Sequence, residues 1–273
     1  MRLILTSAFL CFLLVPLRGQ SKFQIVDPEK KQERKDARAY KQSITDTYTY
    51  NGIGGNWMTI LDTRATPIVY GAPGATIVLG DIKRRPGVIQ YFDNANFQYG
   101  FMTSLGEGSG GHVGRYTGGY SWLTELDQSS PWSTYLGGGA YLQYTGKFLP
   151  NLSNSLYHHD LTGAVRIRAE AERSFRLRKK NLILQYRLQI PLIAYVNRWP
   201  RYGLSLRGPA QYVAPLGIWN QVISEISLEG WMSERNDNRW RVSYIWDWYA
   251  FREDIHRINT ASHSLSLTHY LHH

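Results

Sequence analysis

The sequence predicts an all-β protein, an antiparallel up-and-down transmembrane β-barrel of about twelve strands, or about ten at the lower count. Three observations predict it. Several stretches alternate apolar and polar residues over ten or more positions and carry charge on the polar face. After residue 20 no apolar run approaches the roughly 20 residues that a membrane helix needs. The composition is 14% aromatic, with 19 Tyr, 9 Trp and 25 Gly, yet lacks long apolar runs. A membrane barrel needs that combination, because only alternate residues meet lipid and aromatic girdles mark its two interfaces.

The chain opens with Arg2, an apolar stretch from Leu3 to Leu17, and the polar exit Arg18-Gly19-Gln20-Ser21. A positive start, a short apolar core and a polar exit make a secretory signal, here residues 1–20. Cleavage is expected near Gln20, although Arg18 fits the small-residue rule poorly. The single cysteine, Cys11, lies inside this leader, so the mature chain carries no disulfide and no cysteine metal ligand. Removal of Arg2 and Arg18 leaves 29 Lys and Arg against 21 Asp and Glu. An exported basic chain meets outer-membrane lipid and lipopolysaccharide phosphates, and other envelope proteins, rather than nucleic acid. No nucleic-acid-binding pattern is present.

Residues 21–42 are crowded with mixed charge and read as a solvated tail or a plug folded into the barrel. The barrel is expected over 43–273. The clearest strand is Asn181–Val196, where Leu182, Leu184, Tyr186, Leu188, Ile190 and Leu192 share one face. Gln185, Arg187 and Gln189 lie on the other. In the stretch before it, Val165, Ile167, Ala169 and Ala171 alternate with Arg166, Arg168, Glu170 and Glu172. Four same-face charges sit poorly in a soluble core and well in a water-filled or salt-bridged lumen. A two-residue turn at Arg178-Lys179 would set Glu170 opposite Arg187, whereas a slip of two would set Arg168 there.

The third clear strand is Arg239–Phe251. Trp240, Val242, Tyr244, Trp246 and Trp248 oppose Arg241, Ser243, Asp247 and Tyr249. Trp240, Trp246 and Trp248 are the candidate aromatic girdle. Weaker candidates are Ile44–Trp57, Tyr70–Leu79, Val88–Thr103, Val113–Glu125, Ser133–Leu149, Tyr202–Leu216, Gln221–Ser233 and Asn259–Leu271. Single-chain barrels favour even strand numbers, hence the choice of twelve or ten.

Catalytic patterns are sparse. A barrel lipase carries its serine two residues after the histidine base, so that both share a strand face. None of His112, His158, His159, His256, His263 or His269 is followed so. Asp62, Asp81, Asp93, Glu107, Asp127, Asp160, Asp237 and Asp254 lie near expected turns, where turn chemistry explains them. Asp254 with His256 reads as a solvated loop pair. His158 and His159 point to opposite faces of a strand, so they do not chelate one metal together. His272-His273 could touch adventitious metal. The glycines of Gly106–Gly111 lack the Lys-Ser/Thr and helix of a phosphate loop. No catalytic residue, metal site or cofactor is assigned.

Taken in order, Tyr50-Asn51-Gly52-Ile53-Gly54, Leu61-Asp62-Thr63, Pro67 and Tyr70-Gly71 form a first anchor. Leu184-Gln185-Tyr186-Arg187-Leu188-Gln189-Ile190-Pro191-Leu192-Ile193 with Pro200, Tyr202 and Gly203 form a second. Val242-Ser243-Tyr244 and Ser262-His263-Ser264 form a third. The series resembles an uncharacterised family of Bacteroidetes-type exported proteins expected to be outer-membrane barrels. An asparagine-rich stretch of that family survives only as Asn151 and Asn154, and Leu204-Ser205-Leu206-Arg207 replaces a tyrosine-rich run. The resemblance implies an outer-membrane location and a barrel fold, and brings no reaction.

The leading expectation is therefore a non-enzymatic outer-membrane barrel, a small channel or an accessory subunit of an envelope complex. Arg166, Arg168, Glu170, Glu172, Gln185, Arg187 and Glu225 would set its lumen polarity. The alternatives are a lipid-acting barrel enzyme, requiring a Ser/His pair on the outward face, and a soluble exported β-rich binding protein. One feature sits awkwardly: the chain ends Tyr270-Leu271-His272-His273, without the terminal aromatic common in barrel substrates.

Overall fold

A computed structural model describes residues 45–273, apart from 64–65, 105–109, 128–130, 151–156, 179, 201–209, 234–236 and 254–255. The leader at 1–20, the charged segment 21–42, Glu107, Asn151, Asn154, Tyr202-Gly203 and Asp254 lie outside the described residues, as do the side chains of Asp127 and His256.

The strands are β1 (Asp46–Asp62), β2 (Thr66–Arg85), β3 (Val88–Ser104), β4 (Gly110–Asp127), β5 (Ser133–Phe148) and β6 (Tyr157–Leu177). They continue as β7 (Lys180–Pro200), β8 (Ala210–Pro215), β9 (Trp219–Ser233), β10 (Asn238–Glu253) and β11 (His256–His272). Sequence neighbours pair antiparallel throughout except β8 and β9, which both pair with β7, and β1 pairs with β11 from Tyr48↔His272 to Asp62↔Ile258. The sheet thereby closes on itself.

The count of twelve is corrected here. The closed ring has ten strands, the lower of the two expected counts, and β8 is an extra half-length piece. β7 pairs with β8 through Ile193–Arg198 and with β9 through Leu182–Gln189. Between these runs lies Pro191, which has no N–H for a ladder. Opposite Pro191 the β6–β7 register also shifts, at Val165/Arg166. Gly217, at φ +103°, turns the partner chain in the same gap. One strand of the ring is thus split into β8 and β9, so counting by periodicity finds eleven segments.

Alternation separates the two surfaces. Tyr48, Tyr50, Asn56, Met58, Ile60 and Asp62 of β1 are buried inside, while Ile53 and Trp57 face out at 71% and 48% exposure. The same alternation puts Ile77, Leu79, Phe101, Trp122, Val165, Ile226, Leu265 and Leu267 outside. A continuous apolar exterior around a polar interior is the reverse of a water-soluble sandwich.

The glycines of β5 show how tightly the wall curves. A Cβ on Gly139 would lie 1.9 Å from the Tyr120 carbonyl oxygen, and one on Gly137 would lie 1.9 Å from that of Trp122. Gly139→Ala is expected to lower stability by about 1–3 kcal/mol, because the clash is with backbone. The midpoint of urea unfolding checks it, and an unchanged midpoint would show that the wall yields there.

Candidate functional site

The lumen is the place where this chain gathers its charge. Three layers of ion pairs cross it, from the terminal end, where β1 begins and β11 finishes, to the opposite one.

At the terminal end Arg84 of β2 grips Glu172 of β6 with both guanidinium nitrogens, at 3.0–3.1 Å. These strands lie four places apart in the ring, so the pair spans the interior. Glu229 accepts from Arg241 at 2.7 Å and from Arg239 at 3.0 Å. In the turn beside them burial alone would raise the Asp237 carboxyl. Hydrogen bonds from Arg239, Tyr48 and Trp231 instead hold it below the usual carboxylate range.

The second layer centres on Glu170, whose side chain is fully buried. It accepts from the Tyr91 hydroxyl at 2.7 Å, from Arg187 Nε at 3.0 Å and from the Gln185 amide. Arg168 reaches it at 3.5 Å and lies over the Tyr91 ring, with the guanidinium carbon 3.6 Å from the centroid. Arg187 extends onward to Glu225 at 2.8 Å, and Ser243 donates to the same carboxylate at 3.0 Å. The β6–β7 register sets Glu170, not Arg168, opposite Arg187. Asp93 receives the Tyr50 hydroxyl at 2.8 Å and Arg166 at 3.1 Å. Further along, Arg115 pairs with Asp247 at 3.0 Å.

The third layer lies near the far end. Asp62 of β1 meets Lys147 of β5 at 2.5 Å and Arg198 of β7 at 3.1 Å. Asp160 of β6 meets Arg198 at 2.8 Å and Lys147 at 3.6 Å. In the ring β1 stands diametrically opposite β6, so this tetrad bolts the two halves of the barrel together.

Turn chemistry is therefore not the role of Asp62, Asp93 or Asp160, and that expectation is corrected. Each points inward next to a buried cation, because burial leaves a carboxylate no cheaper partner. Lys147 and Arg198 were also missed. Their signal was present as period two, in Tyr141, Gln143, Thr145 and Lys147 against Leu142, Tyr144 and Phe148, and in Ala194, Val196 and Arg198 against Tyr195, Asn197 and Trp199.

Apolar clusters fill what the charges leave. Tyr48, Tyr50, Ile82, Ile89, Tyr91, Leu123 and Tyr270 pack together. Met58, Ile60, Tyr70, Met102, Val113 and Leu149 form a second cluster, and Val196, Trp219, Tyr249, Phe251 and Ile258 anchor a third. Between them a cavity of about 110 Å³ is lined by Asp93, Arg166, Arg168, Arg187, Glu225 and Arg241, among others. Such a volume suits a few water molecules and falls short of the roughly 300–1,000 Å³ of a ligand pocket. A wider, open crevice of about 520 Å³ lies at the far rim beside Gly217, Asn220, Arg252 and Arg257.

On the outer face Trp240 covers Gly230, Trp248 donates to Asn259 Oδ1 at 2.8 Å, and Trp246 is half-buried. The Tyr99 hydroxyl pairs with His112 Nδ1 and that of Tyr244 with His263 Nδ1, both at 2.6 Å. Ser262 and Ser264 are buried inside, on the face of β11 opposite His263. His158 is buried inward, whereas His159 packs outward against Tyr144, Tyr157 and Trp199. Among the described residues no group of three or more His, Cys, Asp or Glu is gathered as a metal site would require.

These features define a class: a closed antiparallel β-barrel with an apolar exterior and a side-chain-filled, ion-paired interior. No family model matches the chain, and no curated protein matches it, so the resemblance to a Bacteroidetes-type family rests on the residues quoted above. Among solved structures it is similar to the translocator domain of the autotransporter NalP from Neisseria meningitidis, at 7% identity and a TM-score of 0.35, covering 87% of this chain and 95% of that one. The β domain of the Bordetella autotransporter BrkA gives 14% identity and 0.37, covering 83% and 99%. An outer membrane channel from Pseudomonas putida F1 gives 9% and 0.33, covering 84% and 96%. Likenesses this loose carry no argument about this chain, and the barrel class rests on its own ladder of strand pairs.

Proposed function

We propose that this chain is an exported outer-membrane barrel that acts as a closed, non-enzymatic scaffold or accessory subunit of an envelope complex, rather than as a small channel. The supporting observation is the mutual pairing of the lumen charges across the ring, above all Arg84 with Glu172 and the Asp62–Lys147–Arg198–Asp160 tetrad. In an open pore such side chains would face water and tune ion passage. Here they face one another, between apolar clusters.

The continuous apolar exterior supports a membrane setting. Strands of 15 to 21 residues, β8 aside, exceed the roughly 9–11 needed to cross tilted. Loop lengths support an orientation. Eight residues join β5 to β6 and nine join β7 to β8, both at the end away from the start of β1, where β1–β2, β3–β4 and β10–β11 take three, five and two; at the other end no connection exceeds five. Long loops face outward and short turns face the periplasm. Lipopolysaccharide would then contact the long-loop end, and periplasmic envelope proteins the end where β1 begins.

The test combines fractionation with conductance. The native protein should resist extraction by Sarkosyl and show heat-modifiable gel mobility. In planar bilayers it should give no steady current. Stable ohmic steps would overturn the closed reading, and extraction in soluble form would overturn the membrane one.

A further inference from the structure

The β6–β7 hairpin outruns the barrel wall. β5 pairs with β6 only as far as Ser133↔Glu172. β6 and β7 remain paired for five further residue pairs, to Leu177↔Lys180. Beside β5 that is a projection of roughly 16 Å along the strand, at about 3.3 Å per residue; on the other side β9 accompanies β7 as far as Leu182↔Gly230, so the last two pairs, Arg176↔Asn181 and Leu177↔Lys180, stand clear of both neighbours. It lies at the end with the short turns.

Its outward row continues the wall. Val165, Ile167, Ala169 and Ala171 lead on to Arg173, Phe175 and Leu177. Phe175 and Leu177 are 38% and 58% exposed. Arg173, Arg176, Arg178 and Lys180 are exposed around them, and Arg173 lies over the Trp132 ring at 5.8 Å. Among the described residues none of these four cations makes an ion pair, in contrast to the arginines of the lumen. The sequence contains no Asp or Glu between Glu172 and Glu225, so the hairpin tip carries no carboxylate of its own.

We propose that this hairpin is a binding site for anionic phospholipid of the periplasm-facing leaflet. The inference rests on the membrane reading above and deepens it. Arginine and lysine recognise a phosphate by charge and by directed N–H donors. Phe175 and Leu177, on the same outward surface, offer the acyl region an apolar contact. An acidic protein segment would match the cations, but it would leave unexplained the apolar pair Phe175 and Leu177 that ends the lipid-facing row at the tip. Lipopolysaccharide belongs to the other leaflet.

The experiment uses the full chain folded into nanodiscs of phosphatidylcholine with a minor fraction of phosphatidylglycerol. Lipids retained on the protein after partial delipidation are identified by native mass spectrometry. The wild type should retain phosphatidylglycerol above its bulk ratio, and added salt should weaken that enrichment. Each basic residue near an anionic surface strengthens attraction by about fivefold. The triple variant Arg176→Glu, Arg178→Glu, Lys180→Glu should therefore fall to the bulk ratio while keeping heat-modifiable mobility. Phe175→Ser with Leu177→Ser should lower retention at unchanged charge. Wild-type retention at the bulk ratio, or equal enrichment in the triple variant, would overturn the proposal. So would binding of a poly-glutamate peptide with no lipid preference, which would assign the tip to an acidic protein. A wild type that never enters the bilayer would instead sink the membrane reading itself.

Discussion

Glu170→Ala is expected to destabilise the folded barrel by about 3–5 kcal/mol, the cost of breaking a buried ion pair from one side. The carboxylate is fully buried and serves Arg187, Arg168, Tyr91 and Gln185 together. Its loss leaves the Tyr91 hydroxyl without its acceptor and the Gln185 amide with only Glu172 at 3.4 Å, and concentrates positive charge between Arg168 and Arg187. Glu225 still holds Arg187 at 2.8 Å, and Asp93 still reaches Arg168 at 3.6 Å, so the layer is weakened rather than abolished. Glu170→Gln keeps the shape and some of the hydrogen bonds, so it should cost less than alanine. Glu172→Ala should also cost less, since that side chain retains 13% exposure. Urea titration in detergent, followed by the folded and unfolded bands on a gel, gives the comparison. A loss below about 1 kcal/mol for Glu170→Ala would mean that water screens the pair as it does at a surface, and the lumen would have to be open. Conductance should stay absent in this variant, because the apolar clusters above and below Glu170 remain.

How far this arrangement is legible in the sequence depends on the distance over which a contact is decided. Side-chain period two writes strand faces directly into the order of residues, so 181–196 and 239–251 read as strands by inspection. The two-residue turn at Arg178-Lys179 fixes a register, and with it the cross-strand relation of Glu170 and Arg187. Contacts across the lumen obey no such local rule. Asp62 and Lys147 are 85 positions apart and meet only because ten strands close with one particular stagger. Read locally, Asp62 is a residue before a turn, which is why turn chemistry accounted for it. The strand count failed for a related reason. Pro191 marks a register shift against β6 and a gap in pairing on its other side, and that gap separates β8 from β9 although they occupy one place in the ring.

The Asp62 tetrad allows the sharpest separation of charge from packing. Among the described carboxylates, Asp62→Ala leaves Lys147 and Arg198 sharing Asp160, in a site where both cations are almost wholly buried. An uncompensated buried cation costs about 3–5 kcal/mol. Adding Lys147→Met removes one charge of each sign and keeps most of the volume. What remains is Arg198 with Asp160, already paired at 2.8 Å. Because a buried ion pair is often replaceable by apolar groups at little cost, the double variant should recover to within about 1 kcal/mol of wild type. Lys147→Met alone should be intermediate, since it leaves two carboxylates sharing Arg198. A strong favourable coupling between the two substitutions, read from the four urea midpoints, is the expected result. Additive losses would show that Asp62 and Lys147 act independently, each solvated by its own water, and the far end of the barrel would then be a wet mouth instead of a bolt across the ring.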